Sequence, residues 1–144
     1  MIILYHIFIP VLAALIMNGI IYIFKLNKDN KELDNYFIPE GYIIGIIWTL
    51  IFALLGYVHY LLYTIDNKIN IGSISVIILM LLYLLYPLII AFKKKYFKLV
   101  NLISLILGYI VSLIILGYSK YIFIYMIPLL AWISYVNIVY LIKE

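Results

Sequence analysis

A series of side chains at helical spacing in the second quarter of the chain suggests a binding or packing surface. It consists of Trp48, Phe52, Gly56, His59 and Tyr63. Spacings of four and three residues place the series on one face of a helix. Two interpretations stay open. In one, Gly56 admits the backbone of a neighbouring helix and His59 hydrogen-bonds across the interface. In the other, the face is an aromatic wall for a flat apolar ligand, and His59 is its polar handle.

Metal and acid–base chemistry find little support in the sequence. His6 and His59 fall in different uncharged stretches, neither of which contains a carboxylate, and the chain has no cysteine. Zinc sites are built from several histidine, cysteine or carboxylate ligands, and ion-coupled transport normally uses ionisable side chains at membrane depth. We therefore expect no metal site, no resident cofactor, no catalytic residue and no ion pump.

Tyrosines and prolines inside the uncharged stretches could shape a cavity. A buried tyrosine hydroxyl needs a hydrogen-bond partner, so the tyrosines far from the ends of the stretches are candidates for a cavity with polar tips: Tyr83, Tyr86, Tyr109 and Tyr135. Proline removes a backbone donor and can kink a helix. Pro87 and Pro128 therefore predict irregular geometry beside the aromatic face.

The composition requires lipid as the solvent for these side chains. Of 144 residues, 69% are hydrophobic and 11% are charged, and the mean hydropathy is +1.23. A globule of this size has too much surface to hide so many apolar atoms from water. We therefore predict a lipid bilayer as the immediate partner of the chain.

Every charged residue falls outside five uncharged stretches, each long enough to cross a membrane as a helix. Backbone groups in lipid must be hydrogen-bonded within the segment, and the alternation typical of barrel strands is absent. The sequence therefore predicts an all-α fold, a five-transmembrane-helix bundle in a single domain over residues 1–144. The predicted spans cover about residues 3–24, 41–65, 70–92, 98–118 and 121–142. The first is taken as a span because no basic leader precedes it.

The lysines predict the orientation of this bundle. Five crossings place eight lysines on one side: Lys25, Lys28, Lys31, Lys93, Lys94, Lys95, Lys98 and Lys143. Only Lys68 and Lys120 fall on the other side. By the positive-inside rule the C-terminus is cytoplasmic and the N-terminus is outside. The net charge of +4 is thus explained by topology, and no nucleic-acid partner is expected. The connection from Lys25 to Glu40 is long enough to cover the bundle as a lid.

Three blocks of sequence resemble the TspO/MBR family of tryptophan-rich sensory proteins and translocator (peripheral benzodiazepine receptor) proteins. The first is Phe37–Thr49, with Phe52, Gly56, Tyr60 and Tyr63 after it. The second is Tyr83–Pro87 followed by Leu99–Asn101, and the third is Ile127–Tyr135. Together they extend from about Tyr36 to the C-terminus in family order. The five-helix topology of the family agrees with the spans predicted above.

The chain also departs from the family pattern. Tryptophan is usual where this sequence has Phe37, Tyr42, Tyr63, Tyr83 and Leu85. Glu40 replaces the second proline of the family motif, Leu82 and Tyr140 replace asparagines, and Asn101 replaces an aspartate. The two remaining tryptophans, Trp48 and Trp132, fall on the second and fifth spans, where the family lines its ligand cavity.

The resemblance implies a membrane receptor for tetrapyrroles such as protoporphyrin or haem, or for other flat apolar ligands such as sterols, acting in transport or stress sensing. In this interpretation Trp48, Phe52 and Trp132 stack on the ligand, and Pro39 and Ile44 close the mouth of the cavity. The expected ligand-binding residues are Pro39, Ile44, Trp48, Phe52, Tyr83, Tyr86, Trp132, Tyr135 and Val136. We favour a receptor function over an enzymatic one.

Two alternatives stay open. The tryptophans could support light-dependent porphyrin breakdown, as the resemblance to bacterial members implies. The aromatic faces could instead form helix contacts within a homodimer that binds no small molecule. The expected address is an integral, multi-pass membrane location: the plasma membrane for a bacterial host, and the mitochondrial outer or another internal membrane for a eukaryotic or viral source.

Overall fold

The computed structural model describes residues 2–24, 26, 39–92 and 96–142. Its helices are α1 (Ile2–Ile23), α2 (Gly41–Asp66), α3 (Ile71–Phe92), α4 (Phe97–Tyr118), α5 (Lys120–Phe123) and α6 (Ile127–Ile142), with a 3₁₀ turn at Ile124–Met126. We call α5, this turn and α6 together the fifth span. Five spans are long and apolar enough to cross a membrane, and the described part of the chain contains no strand. The prediction of an all-α, five-helix membrane bundle is confirmed. Of the predicted lid, the connection from Lys25 to Glu40, residues 25 and 27–38 lie outside the described residues.

The fifth span is broken where the sequence predicted one helix with an internal proline. In a continuous α-helix, residue 128 would donate its N–H to the carbonyl of residue 124, but proline has no N–H. The N–H of Ile127 donates to the carbonyl of Ile124 instead, which closes the tighter 3₁₀ turn. Pro128 consequently stands in the first turn of α6, where a missing donor is tolerated.

The tightly packed core occupies one half of the bundle. Helix α2 packs against α1, α3 and the 3₁₀ turn, while α4 packs against α3 and the fifth span. The largest fully buried apolar side chains are Leu55, Val58, Leu62, Val76, Leu79, Ile115, Met126 and Leu129. They come from the second half of α2 and α4 and from the first half of α3 and the fifth span. Because these helices alternate in direction, the core lies on the side of the connection between α2 and α3.

Helix α1 rests on α2 at a point where glycine is required. A Cβ atom added to Gly56 would lie 2.3 Å from the backbone oxygen of His6 and 3.0 Å from Cα of Ile7. Next to this contact, Nδ1 of His6 lies 2.7 Å from Nδ1 of His59. The packing interpretation of the sequence therefore describes Gly56 and His59, which hold α1 against α2.

Candidate binding cavity

A cavity of about 1020 Å³ occupies the half of the bundle opposite the packed core. Its lining comes from residues 14–23 of α1, 41–52 of α2, 83–87 of α3, 97–104 of α4 and 132–137 of α6. Because the helices alternate in direction, all five stretches lie on the side of the connection between α1 and α2. Every span of the bundle contributes to its wall.

The cavity has an aromatic wall built mainly by α2, α3 and α6. Trp48 and Phe52 line it from α2, with ring centroids 6.3 Å apart. The ring of Tyr83 on α3 lies 5.2 Å from that of Trp48, and Trp132 lines the cavity from α6. Tilted ring pairs at these distances are mutually stabilising. The wall therefore offers rigid aromatic surface to a flat ligand.

The aromatic face predicted on α2 divides along its length. Trp48 and Phe52 line the cavity, whereas Gly56 and His59 contact α1 in the packed half. The ring of Tyr63 lies 5.7 Å from that of His6 and belongs to the same contact with α1. His59 is not among the described residues that line the cavity, so it cannot be the polar handle of the site.

Seven of the nine residues expected to bind ligand line this cavity: Ile44, Trp48, Phe52, Tyr83, Tyr86, Trp132 and Val136. Pro39 and Tyr135 are described but lie outside the lining. Tyr135 is 40% exposed and stacks on Trp132 with ring centroids 5.9 Å apart. On α6, residues 132, 133, 136 and 137 line the cavity and form one face of the helix. Tyr135 falls just beyond the edge of that face.

The four deep tyrosines have different environments. The hydroxyl of Tyr83 donates to the backbone oxygen of Ser104 at 2.9 Å, and the hydroxyl of Tyr86 donates to Oδ1 of Asn101. Tyr109 is exposed, and its hydroxyl lies 3.0 Å from Oγ of Ser134. Tyr83 and Tyr86 therefore belong to the cavity, whereas Tyr109 and Tyr135 lie on the outer surface.

Polar residues that were not among the expected ligand-binding residues also line the cavity: Asn18, Thr49, Asn101, Ser104 and Asn137. Nδ2 of Asn18 donates to the backbone oxygen of Gly45 at 3.2 Å and ties α1 to α2 within the wall. Nδ2 of Asn137 donates to the oxygen of Ile133 at 2.8 Å and lies 3.4 Å from that of Asn101. The sequence signal for these residues is the presence of amide and hydroxyl side chains inside apolar spans.

The cavity is uncharged over its described lining, which contains no lysine, arginine, histidine, aspartate or glutamate. The described residues also hold no group of three or more histidine, cysteine or acidic side chains that could bind a metal ion. The arrangement is suited to holding a neutral or largely apolar molecule by stacking and a few hydrogen bonds.

Comparison with known proteins identifies one relationship. The model of the TspO/MBR family matches residues 6–141, nearly the whole chain. Neither the curated proteins nor the solved structures give a match.

Proposed function

We propose that this chain, which belongs to the TspO/MBR family, binds tetrapyrroles or other flat apolar molecules, such as sterols, in its cavity. Family membership and the five apolar spans make it an integral, multi-pass membrane protein of a ligand-binding or transport type. The observation that carries the finer proposal is that Trp48, Phe52, Tyr83 and Trp132 all line one cavity, whose described lining has no charged side chain.

The size of the cavity supports this proposal. Pockets for small molecules and cofactors typically enclose about 300–1,000 Å³ and are lined mostly by apolar and aromatic side chains. The cavity here, at about 1020 Å³, stands at the upper end of that range. It has room for a ligand much larger than a single aromatic ring, and its aromatic surface favours a flat one.

Porphyrin binding should depend on the two tryptophans. We expect Trp48→Leu and Trp132→Leu each to weaken the affinity for protoporphyrin roughly tenfold, because each removes an aromatic contact and buried area from the ligand. The measurement is a porphyrin titration of the purified protein, followed by porphyrin absorbance so that loss of a tryptophan does not affect the readout.

Tyr125→Leu is the matched control for these variants. Tyr125 is an aromatic residue of the fifth span that contacts Tyr57, with ring centroids 5.0 Å apart, and lies outside the cavity lining. The affinity of the Tyr125→Leu variant for protoporphyrin should equal that of the wild type. Equal affinities for the wild type and both tryptophan variants would refute the assignment of the ligand to this cavity.

Light-dependent porphyrin breakdown is a second candidate function, because both indole rings line the same cavity. An indole near a photoexcited porphyrin can donate an electron to it; dissolved oxygen then adds both of its atoms to the two carbons whose bond breaks, and the electron returns to the indole radical, so that the protein is not oxidised overall. Under illumination in air, the complex with protoporphyrin should lose its porphyrin absorption faster than protoporphyrin in detergent alone, and Trp48→Phe and Trp132→Phe should slow the loss. If the absorption spectrum of the bound porphyrin remains constant under illumination, this activity is contradicted.

A further inference from the structure

Two buried polar groups of α4 have no hydrogen-bond partner among the described residues, and both belong to residues that line the cavity. They are Nδ2 of Asn101 and Oγ of Ser104. Each residue is only 4% exposed, so bulk water does not solvate them. A spacing of three residues places them side by side on one face of α4.

Neighbouring residues use the acceptors of this face and leave its donors open. Oδ1 of Asn101 accepts from the hydroxyl of Tyr86. The backbone oxygen of Ser104 accepts from the hydroxyl of Tyr83. What remains unpaired is Nδ2 of Asn101, which can only donate, and the hydroxyl of Ser104, which can donate or accept. A single group that would pair with both is therefore an acceptor.

Ser112 shows how a serine of α4 is satisfied when it does not face the cavity. Its hydroxyl donates to the backbone oxygen of Gly108 at 2.8 Å, four residues earlier, which is the usual arrangement for serine in a helix. Ser104 has no such bond among the described residues. Buried donors left unpaired are costly in apolar surroundings, so the contrast marks Ser104 and Asn101 as a place where a partner is missing.

We propose that Asn101 and Ser104 form a polar subsite that receives the uncharged carbonyl oxygen of an otherwise apolar ligand. The proposal rests on the proposed function, because the subsite is part of the same cavity. An ionised carboxylate is disfavoured there, since the described lining offers no positive charge to offset its desolvation. The subsite therefore selects ketone, ester or amide carbonyls over carboxylates.

Three porphyrins of similar shape test the subsite: protoporphyrin dimethyl ester, which carries neutral carbonyls, protoporphyrin itself, which carries carboxylates, and octaethylporphyrin, which carries only alkyl groups. Affinities are measured by titration of the purified full chain. The wild type should bind the ester roughly tenfold more tightly than octaethylporphyrin, as expected for one or two additional hydrogen bonds. The free acid should bind less tightly than the ester.

Two variants remove the donors. Asn101→Leu and Ser104→Ala should each reduce the preference for the ester over octaethylporphyrin by roughly three- to tenfold. Ser104→Ala removes a hydroxyl that has no described partner, so it should fold normally even if loss of the contact with Tyr86 destabilises Asn101→Leu. Ser112→Ala, which removes a buried α4 hydroxyl outside the cavity lining, should keep the full preference.

The outcomes separate this subsite from the proposed function. If the wild type binds none of the three porphyrins, the tetrapyrrole function fails and the subsite fails with it. If the wild type binds all three with equal affinity, or if Ser104→Ala and Asn101→Leu retain the preference for the ester, the subsite is refuted while binding in the cavity stands.

Discussion

Replacing Gly56 with alanine should lower the melting temperature of the detergent-purified protein by roughly 10 °C. The added Cβ would lie 2.3 Å from the backbone oxygen of His6 and 3.0 Å from Cα of Ile7. Backbone atoms cannot rotate away as a side chain can, so α1 must move off α2. Overpacking of this kind costs about 3 kcal/mol. Because α1 also lines the cavity, ligand affinity should fall in the same variant.

Gly19→Ala is the control for this substitution. Gly19 lies in α1, the helix that Gly56 contacts, but a Cβ added to Gly19 meets no described atom within 4 Å. Alanine is favoured over glycine inside a helix by roughly 0.5–1 kcal/mol, so the melting temperature should be unchanged or slightly higher. If Gly56→Ala has the same melting temperature as the wild type, α1 does not contact α2 at Gly56 as it does in the structure.

The histidine pair should show strong energetic coupling in a double-mutant cycle of His6→Leu and His59→Leu. The two Nδ1 atoms are 2.7 Å apart, so one ring donates and the other accepts. Each single variant leaves the remaining Nδ1 without this partner in an apolar setting, which we expect to cost about 2 kcal/mol. The double variant removes both polar groups and should be less destabilised than the sum of the single variants by about 1 kcal/mol or more.

The measurement is the free energy of unfolding of the four proteins under identical detergent conditions. Tyr60→Phe serves as a control: the ring of Tyr60 lies 5.6 Å from that of His6, and the substitution retains this ring contact. It should leave stability close to that of the wild type. Strict additivity of His6→Leu and His59→Leu would contradict a direct bond between the two rings.

The fold could be predicted because charge is excluded from the spans. Five uncharged stretches are long enough to cross a membrane, and in lipid a helix satisfies the backbone hydrogen bonds within each stretch. The break in the fifth span could not be predicted in detail. The sequence shows that Pro128 lacks an N–H donor, but only the structure shows that the N–H of Ile127 donates to the carbonyl of Ile124 instead. The predicted orientation stays a prediction.

The cavity was predictable in part. Spacing placed Trp48 and Phe52 on one helical face, and the family resemblance added Trp132. Periodicity cannot show that one face meets two environments, the cavity at Trp48 and helix α1 at Gly56. The unpaired donors of Asn101 and Ser104 were also beyond the sequence, because pairing depends on Tyr83 and Tyr86, fifteen to twenty-one residues away in the chain.

The location of the cavity in one half of the bundle has a consequence for ligand traffic. Its lining on α2 extends from Gly41 to Phe52, about 17 Å at 1.5 Å per residue, roughly half of a hydrocarbon core about 30 Å thick. Beyond it, Leu55, Val58 and Leu62 are fully packed. The lining thus lies at the depth of a single leaflet. If the proposed lipophilic ligands enter the cavity from the bilayer, a molecule dissolved in the opposite leaflet has first to flip across it, and the flip-flop rate then limits its binding.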